Sequence, residues 1–210
     1  LAKDTGMNTL SHVTLGEYIL DFLTSQYGLE LHRSSFLMGN ILPDCQLSFM
    51  TRPHQAEYWQ EYLHSLVEKL LQEKADGRRF SRLYSLRLGV LCHFYTDFFC
   101  YTHNAAFSGT SREHLRYEWD IHRRLQKGVL LVPSDPLDVA RCRNTTPEIV
   151  SAVFQKLHRE YTENIGPSEG RDIRYTLRAC VDAVSRIALC SAALEPKQEG
   201  HCPAPAVPAV

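Results

Sequence analysis

The sequence predicts an all-α fold, a single-domain bundle of about six to eight helices. Apolar residues recur at helical spacing in several long segments, whereas no alternating strand pattern of useful length is present. The chain of 210 residues is long enough to bury one sizeable core, and its 44% apolar and 22% charged residues are ordinary for a globular protein. One helical domain is therefore the expected architecture.

The first two predicted helices are bounded by glycine and proline. Residues 9–27 carry apolar side chains at mostly helical spacing, and Gly28 suits a C-terminal cap. A short helix is expected over residues 34–42, where Pro43 should stop it. Asp44 follows that stop directly.

Two long helices are expected next. One starts after Pro53 and should run to about residue 76, where an Asp-Gly pair ends it. The stretch 80–101 is the most apolar in the chain and should form the central helix. Its Gly89 lies one turn before His93, which predicts close backbone approach by a neighbouring element.

The second half of the chain continues the helical pattern. Residues 104–110 form a predicted loop, and Ser111 with His114 three residues later is an imperfect capping start for a helix through about residue 127. The remaining segments are a predicted loop and two further helices, at residues 133–136, 147–165 and 168–194.

The chain divides into three predicted units. Residues 1–7 are expected to be an expression remnant ahead of Met7 or a disordered start, and residues 8–194 the helical domain. Residues 195–210 contain four prolines, a composition that suits a flexible tail.

Charge and hydropathy exclude several classes of protein. A formal net charge of -1 gives no reason to expect broad attraction to nucleic acid or to anionic membranes. No run reaches the roughly 18 apolar residues of a membrane span, so we expect no transmembrane segment. The start of the chain has no apolar signal-peptide region, so we expect a cytoplasmic protein, or a secreted one if Leu1 is a processed terminus.

Cysteine and histidine usage point to a nitrogen and oxygen site. The seven cysteines form no C-x-x-C pair, which argues against a disulfide framework and against a thiolate zinc site. The ten histidines are many for this length, and imidazole is the commonest protein ligand for zinc-like metals.

Two histidine–carboxylate pairs have helical spacing. His93 and Asp97 are four residues apart on the central helix and therefore share a face. They interrupt an apolar stretch, where a carboxylate is costly unless a cation or strong donors satisfy it. His114 and Glu118 repeat the spacing on the next helix. Each pair can direct a nitrogen and an oxygen at one metal ion.

Each piece of this pattern has an ordinary interpretation when taken alone. A single His-x-x-x-Asp on a helix is more often an ion pair or a hydrogen-bonded pair, and His103 alone would be an ordinary loop histidine. Together with Asp44 and with His12 near a helix start, the chain holds enough donors for two or three ions. The set therefore predicts a metal cluster inside the helical bundle.

The ordered set resembles the zinc-dependent phospholipase C family, whose fold is shared with P1/S1-type nucleases. The resemblance spans roughly residues 8 to 125. It is carried by four segments: Ser-His12-Val-Thr-Leu-Gly, Met-Gly-Asn-Ile-Leu-Pro-Asp44, His93-x3-Asp97-x5-His103 and His114-x3-Glu118.

This resemblance implies specific ligands and two or three zinc ions. One zinc would be held by Asp44, His54, His93 and Asp97. A second would be held by His103, His114 and Glu118. Asp97 would bridge to a third ion that also takes His12.

Two positions in this implied set stay open. His54 is also compatible with a surface loop histidine, with His64 as a substitute ligand. Known members complete the third ion with a processed N-terminal tryptophan, but this chain has no tryptophan before Trp59 and starts with Leu1. Either Leu1 is a processed terminus that supplies those ligand atoms, or the third site is weakened or absent; a weakened third site, or a two-metal site, is expected.

The resemblance implies a zinc-dependent hydrolase that cleaves a phosphate ester or phosphodiester with metal-activated water. Asp44 or Asp97 would orient or deprotonate that water. The substrate would be a small phosphate ester, such as a phospholipid head group or a small phosphodiester, with no stable nucleic-acid complex. The alternatives are a P1/S1-like nuclease or nucleotidase and a catalytically inactive metal-binding helical protein. A di-iron carboxylate bundle fits poorly, because it uses Glu-x-x-His pairs. Substrate-binding residues and oligomeric state stay undetermined.

Overall fold

The computed structural model describes residues 9–49, 51–128, 137–163 and 165–192. The predicted start, the loop at 133–136 and the tail at 195–210 lie outside these ranges. The described helices are α1 Thr9–Tyr27, α2 Arg33–Cys45, α3 Ala56–Gln72, α4 Arg82–Phe98, α5 Ser111–Gln126, α6 Val139–Cys142, α7 Pro147–Thr162 and α8 Glu169–Ala192. A 3-10 turn, Tyr101–His103, follows α4, and no strand occurs in the described ranges. The all-α prediction is confirmed.

Helix α2 continues through the proline that was expected to stop it. Pro43 lies inside the last turn, and the helix extends to Cys45. The turn survives because the Gln46 amide still donates to the Leu42 carbonyl at 2.9 Å, three residues beyond the bond that proline cannot make. Asp44 is consequently held on a helix instead of in a loop.

Helices α3 and α4 both end earlier than predicted. After Gln72 the backbone turns extended at Glu73, and the Ala75 amide bonds to Ser191 at 3.1 Å. The central helix ends at Phe98, and the chain re-forms as the short 3-10 turn. Tertiary contacts decide these ends.

The start of α5 uses a different cap from the expected one. Thr110, not Ser111, is the N-cap: its hydroxyl accepts from the Glu113 amide, while the Glu113 carboxylate accepts from the Thr110 amide at 2.7 Å. This reciprocal capping box aligns the first turn of the helix that carries His114.

The core surrounds α4, which is buried without interruption from Leu88 to Phe98. Aromatic rings from other elements pack on it: Phe94 lies 4.7 Å from Trp59 between ring centroids, and Tyr95 stacks on Phe154 at 4.6 Å. The polar pair His93 and Asp97 is therefore enclosed by the most apolar part of the molecule.

Helices α2 and α4 cross in direct backbone contact. Gly39 and Gly89 face each other, and a Cβ on either would overlap a carbonyl oxygen of the opposite helix. The close approach predicted from Gly89 is confirmed, with α2 as the neighbour. This crossing brings the end of α2 beside His93.

Of the helices that the structure describes, none is long and apolar enough to cross a bilayer.

Candidate metal centre

Four elements deliver side chains to one buried point beside α4. Helix α4 supplies His93 and Asp97, both 0% exposed, and α1 supplies His12, which is equally buried. Asp44 comes from the last turn of α2, and His54 from the loop ahead of α3. Each arrives from a different part of the chain.

The first ligand group, defined here as Asp44, His54, His93 and Asp97, has closely spaced donor atoms. His54 Nδ1 lies 2.8 Å from Asp97 Oδ2, and His93 Nε2 lies 3.2 Å from the same oxygen. Asp44 Oδ1 is 3.6 Å from His93 Nε2 and 3.9 Å from His54 Nδ1.

His12 approaches the other oxygen of Asp97. Its Nε2 lies 3.3 Å from Asp97 Oδ1, and its ring stacks on His93 with centroids 4.2 Å apart. His12 is not part of the first ligand group, because its donor atoms do not lie close to all four of that group's donors. Asp97 thus faces histidines with both carboxylate oxygens.

A backbone contact sets the orientation of His93. Its Nδ1 donates to the Asn40 carbonyl at 2.8 Å, so Nε2 is left as the lone-pair nitrogen that faces the carboxylates. The Asn40 side chain in turn donates to the Phe36 carbonyl at 2.9 Å. Asn40 lies inside the Met-Gly-Asn segment quoted above. Because every residue has a backbone carbonyl, the residue type could not predict this contact.

The second ligand group, defined here as His103, His114 and Glu118, is also buried. Glu118 Oε1 lies 2.7 Å from His114 Nε2 and 3.2 Å from His103 Nε2. One carboxylate oxygen therefore meets two imidazole nitrogens, from the 3-10 turn and from α5.

The donor set fits zinc. Zinc takes imidazole nitrogens and carboxylate oxygens, and a tetrahedral site at about 2.0–2.2 Å spaces its ligand atoms about 3.3–3.5 Å apart. The distances in the first group, from 2.8 to 3.9 Å, bracket that spacing, whereas those in the second group, 2.7 and 3.2 Å, lie below it. In addition, Asp44 Oδ1 is buried without a hydrogen-bond partner among the described residues, as an oxygen that ligates a cation would be.

A family model for zinc dependent phospholipase C matches residues 11–166, which is most of the chain. The chain belongs to the zinc-dependent phospholipase C family. All eight residues of the implied ligand set lie inside the matched range. No match was found among curated proteins, and none among solved structures.

The ionisation pattern of this family member favours cation binding. Burial alone would raise the pKa of Asp97, but the neighbouring His93 and His103 and hydrogen bonding by His12 and His54 hold that pKa well below its usual value. Burial, reinforced by His12, lowers the pKa of His93. Asp97 is thus anionic and His93 neutral, the states in which each coordinates a metal.

The pKa values of the other two residues of the first group, Asp44 and His54, are raised. Burial raises the pKa of Asp44 to about 6, against the opposing effect of His93. Burial would lower the pKa of His54, but its hydrogen bond to Asp97 raises it above the usual value. Without a cation, both shifts favour the protonated form of the side chain.

The structure distinguishes the two histidines that the sequence left as alternative ligands, His54 and His64. His54 is only 7% exposed and lies in the first group, not on the surface. His64 has a side chain that is 43% exposed and lies 3.8 Å from Glu148, remote from both groups.

A cavity of about 370 Å³ adjoins the second group at His103. The loop that carries His54 contributes its next residue, Gln55, to the wall, and the far side is formed by α7 and the segment after it. The lining consists of Gln55, Ala56, Glu57, Gln60, Phe98, His103, Asn104, Ala105, Ala106, His158, Thr162 and Ile165.

Proposed function

We propose that this member of the zinc-dependent phospholipase C family hydrolyses a small phosphate ester or phosphodiester with two or three zinc ions. The observation that supports it is the convergence of two buried donor groups, with Asp97 contacting histidines through both oxygens. The proposed ligands are His12, Asp44, His54, His93, Asp97, His103, His114 and Glu118.

The residues of the centre have different tasks in this proposal. Bound zinc would supply a Lewis acid that lowers the pKa of water and polarises a phosphoryl oxygen. Asp97, fully buried and engaged on both oxygens, orients His12, His54 and His93 around that charge. Asn40 holds the His93 ring through its carbonyl.

Asp44 is the better of the two aspartates for accepting a proton from water. Its side chain is 10% exposed, whereas Asp97 is 0% exposed. Asp44 Oδ1 is itself buried and accepts no hydrogen bond among the described residues, so this oxygen keeps a lone pair for a water molecule at the centre. We therefore assign the acceptor role to Asp44 and the ligand and orienting roles to Asp97.

The cavity supports a small substrate in preference to a polyanion. Among its described lining residues there is no lysine or arginine, and Glu57 is the one carboxylate. A polyanion such as single-stranded nucleic acid would need cationic contacts along its backbone, which this wall does not provide. A phospholipid head group or a similar small phosphodiester fits the volume and a wall that has no lysine or arginine among its described residues.

Paired assays test the proposal. Zinc-replete protein should hydrolyse a chromogenic choline phosphodiester and leave single-stranded DNA intact, and it should hold at least two zinc ions by elemental analysis. His93→Ala should lose the zinc of the first group and the activity, whereas His64→Ala, a histidine outside both groups, should keep both.

Each other outcome has a distinct meaning. Cleavage of the DNA alone would favour the nuclease alternative. Bound zinc without hydrolysis of either probe would favour the catalytically inactive metal protein. Less than one zinc per chain, with His93→Ala equal to wild type, would sink the metal proposal altogether.

A further inference from the structure

A single carboxylate outside both ligand groups collects three hydrogen bonds. Asp172, near the start of α8, is 0% exposed. Its Oδ2 accepts from the Tyr101 amide at 2.8 Å and from the Tyr117 hydroxyl at 2.8 Å. Its Oδ1 accepts from the Tyr161 hydroxyl at 3.0 Å. Nothing in the proposed chemistry uses this residue.

The two donors that share Oδ2 belong to the segments that carry the second ligand group. Tyr101 opens the 3-10 turn that ends at His103, and Tyr117 directly precedes Glu118 on α5. The Tyr117 hydroxyl also accepts from the Ser168 amide at 2.9 Å, which ties it to the residue just ahead of α8.

The turn that bears His103 needs an external support. A 3-10 turn of three residues is intrinsically weak, and the loop that follows it connects to α5 without regular structure. The separation between His103 Nε2 and Glu118 Oε1, 3.2 Å, depends on how the turn and α5 are held together. Oδ2 of Asp172 accepts one hydrogen bond from the turn, at the Tyr101 amide, and one from α5, at the Tyr117 hydroxyl, both at 2.8 Å.

We propose that Asp172 is a positioning residue for the second ligand group. It fixes the turn of His103 against the helix of Glu118, and so sets the zinc affinity of that group without touching the ion. The proposal rests on the proposed function only in requiring that this group binds zinc.

Two tyrosines provide a matched pair of variants. Tyr117→Phe and Tyr161→Phe each remove one phenol hydroxyl from the same carboxylate, but Tyr161 lies on α7, which contributes no residue to either ligand group. The measurement is zinc affinity by competition with a chromophoric chelator. The binding step that is lost in His114→Ala identifies the second group.

Tyr117→Phe should weaken zinc binding at the second group about tenfold, within the range usual for residues that support metal ligands, while Tyr161→Phe should change it less than twofold. Asp172→Asn should weaken the same step by more than Tyr117→Phe and leave the first group unchanged. If Asp172→Asn does not fold, the tyrosine pair alone decides.

Equal effects of the two tyrosine variants, or no effect of Tyr117→Phe, would overturn the positioning role while leaving the proposed function intact. A wild-type chain that lacks the second binding step would overturn both. Cobalt substitution adds a second readout: the absorption of the second-group ion should shift in Tyr117→Phe and not in Tyr161→Phe.

Discussion

Gly39 and Gly89 lie backbone to backbone where α2 crosses α4, with no side chain between them. Because the helices approach so closely, the carbonyl of Asn40, next to Gly39, reaches His93 at 2.8 Å. Asp44 at the end of α2 reaches the same ring at 3.6 Å. The crossing therefore sets the geometry of the first ligand group.

Gly89→Ala should lower the free energy of unfolding by about 1–3 kcal/mol, the usual range for overpacking. Its Cβ would overlap the Phe36 carbonyl oxygen, a backbone atom that cannot rotate away. Urea denaturation of the metal-free protein checks this. Gly166→Ala is the control, because a Cβ there meets nothing within 4 Å. A Gly89→Ala variant as stable as this control would contradict the described crossing.

Asp97→Asn should abolish the stabilisation that zinc gives through the first group. At a free zinc concentration of about 100 times the dissociation constant, a site that only the folded state forms contributes about 2.7 kcal/mol. The amide nitrogen of asparagine cannot replace an anionic ligand that faces three histidines. Thermal unfolding with and without zinc measures the effect. Asp182→Asn, which removes a carboxylate paired with Arg186 on α8, should keep the full zinc response.

Asp44→Asn should separate catalysis from metal content. At saturating zinc the variant should keep most of its bound ions, since the other donors of the first group remain. Its kcat should fall by about 10²–10⁴, the usual contribution of a general base. Elemental analysis and steady-state kinetics on the choline phosphodiester check the two parts. A variant with full zinc and wild-type kcat would assign the proton acceptor elsewhere.

Asp172 should make the metal-free protein relatively more stable in mild acid. Burial raises the pKa of this carboxyl to about 6 from an ordinary value of 3.8, so the folded chain binds the proton more tightly than the unfolded chain. The stabilisation of the folded chain by the Asp172 proton is fully present below pH 3.8 and is lost as the pH rises through about 6. Two pKa units correspond to a loss on the order of 3 kcal/mol.

The comparison with Asp172→Asn isolates that titration. The difference in free energy of unfolding, wild type minus variant, should decrease between pH 4 and pH 7 in the presence of a chelator. Other groups titrate in the same range, but they are common to both proteins. Two curves that stay parallel would show that Asp172 does not titrate between those limits.

Helical periodicity was enough to predict the all-α fold and the facing of His93 with Asp97. It could not predict that α2 passes through Pro43, because the contact with Gly89 that stabilises α2 comes from a distant segment. The helix start was predicted at Ser111, one residue after the observed N-cap Thr110, because serine and threonine both carry a hydroxyl that can cap a helix.

The predicted site depended on two kinds of information. Residue spacing alone suggested the paired ligands on α4 and α5, whereas His54, and the pairing of His12 with Asp97, came from the family resemblance. Asn40 and Asp172 were not predicted at all. Each acts through an atom whose partner is set by how helices pack, and nothing in the residue type of either marks that contact.

The two ligand groups differ in how far apart their members are along the chain. His103, His114 and Glu118 fall within one continuous stretch, so even an unfolded polypeptide can bring them together at the small entropy of closing a short loop. The first group joins Asp44 to Asp97, and these meet only when α2 has docked on α4. A newly made chain would therefore capture its first ion at the second group and acquire the others after folding. Because zinc that also binds the unfolded chain stabilises the native state less, the first group should contribute most of the zinc-dependent resistance to denaturation.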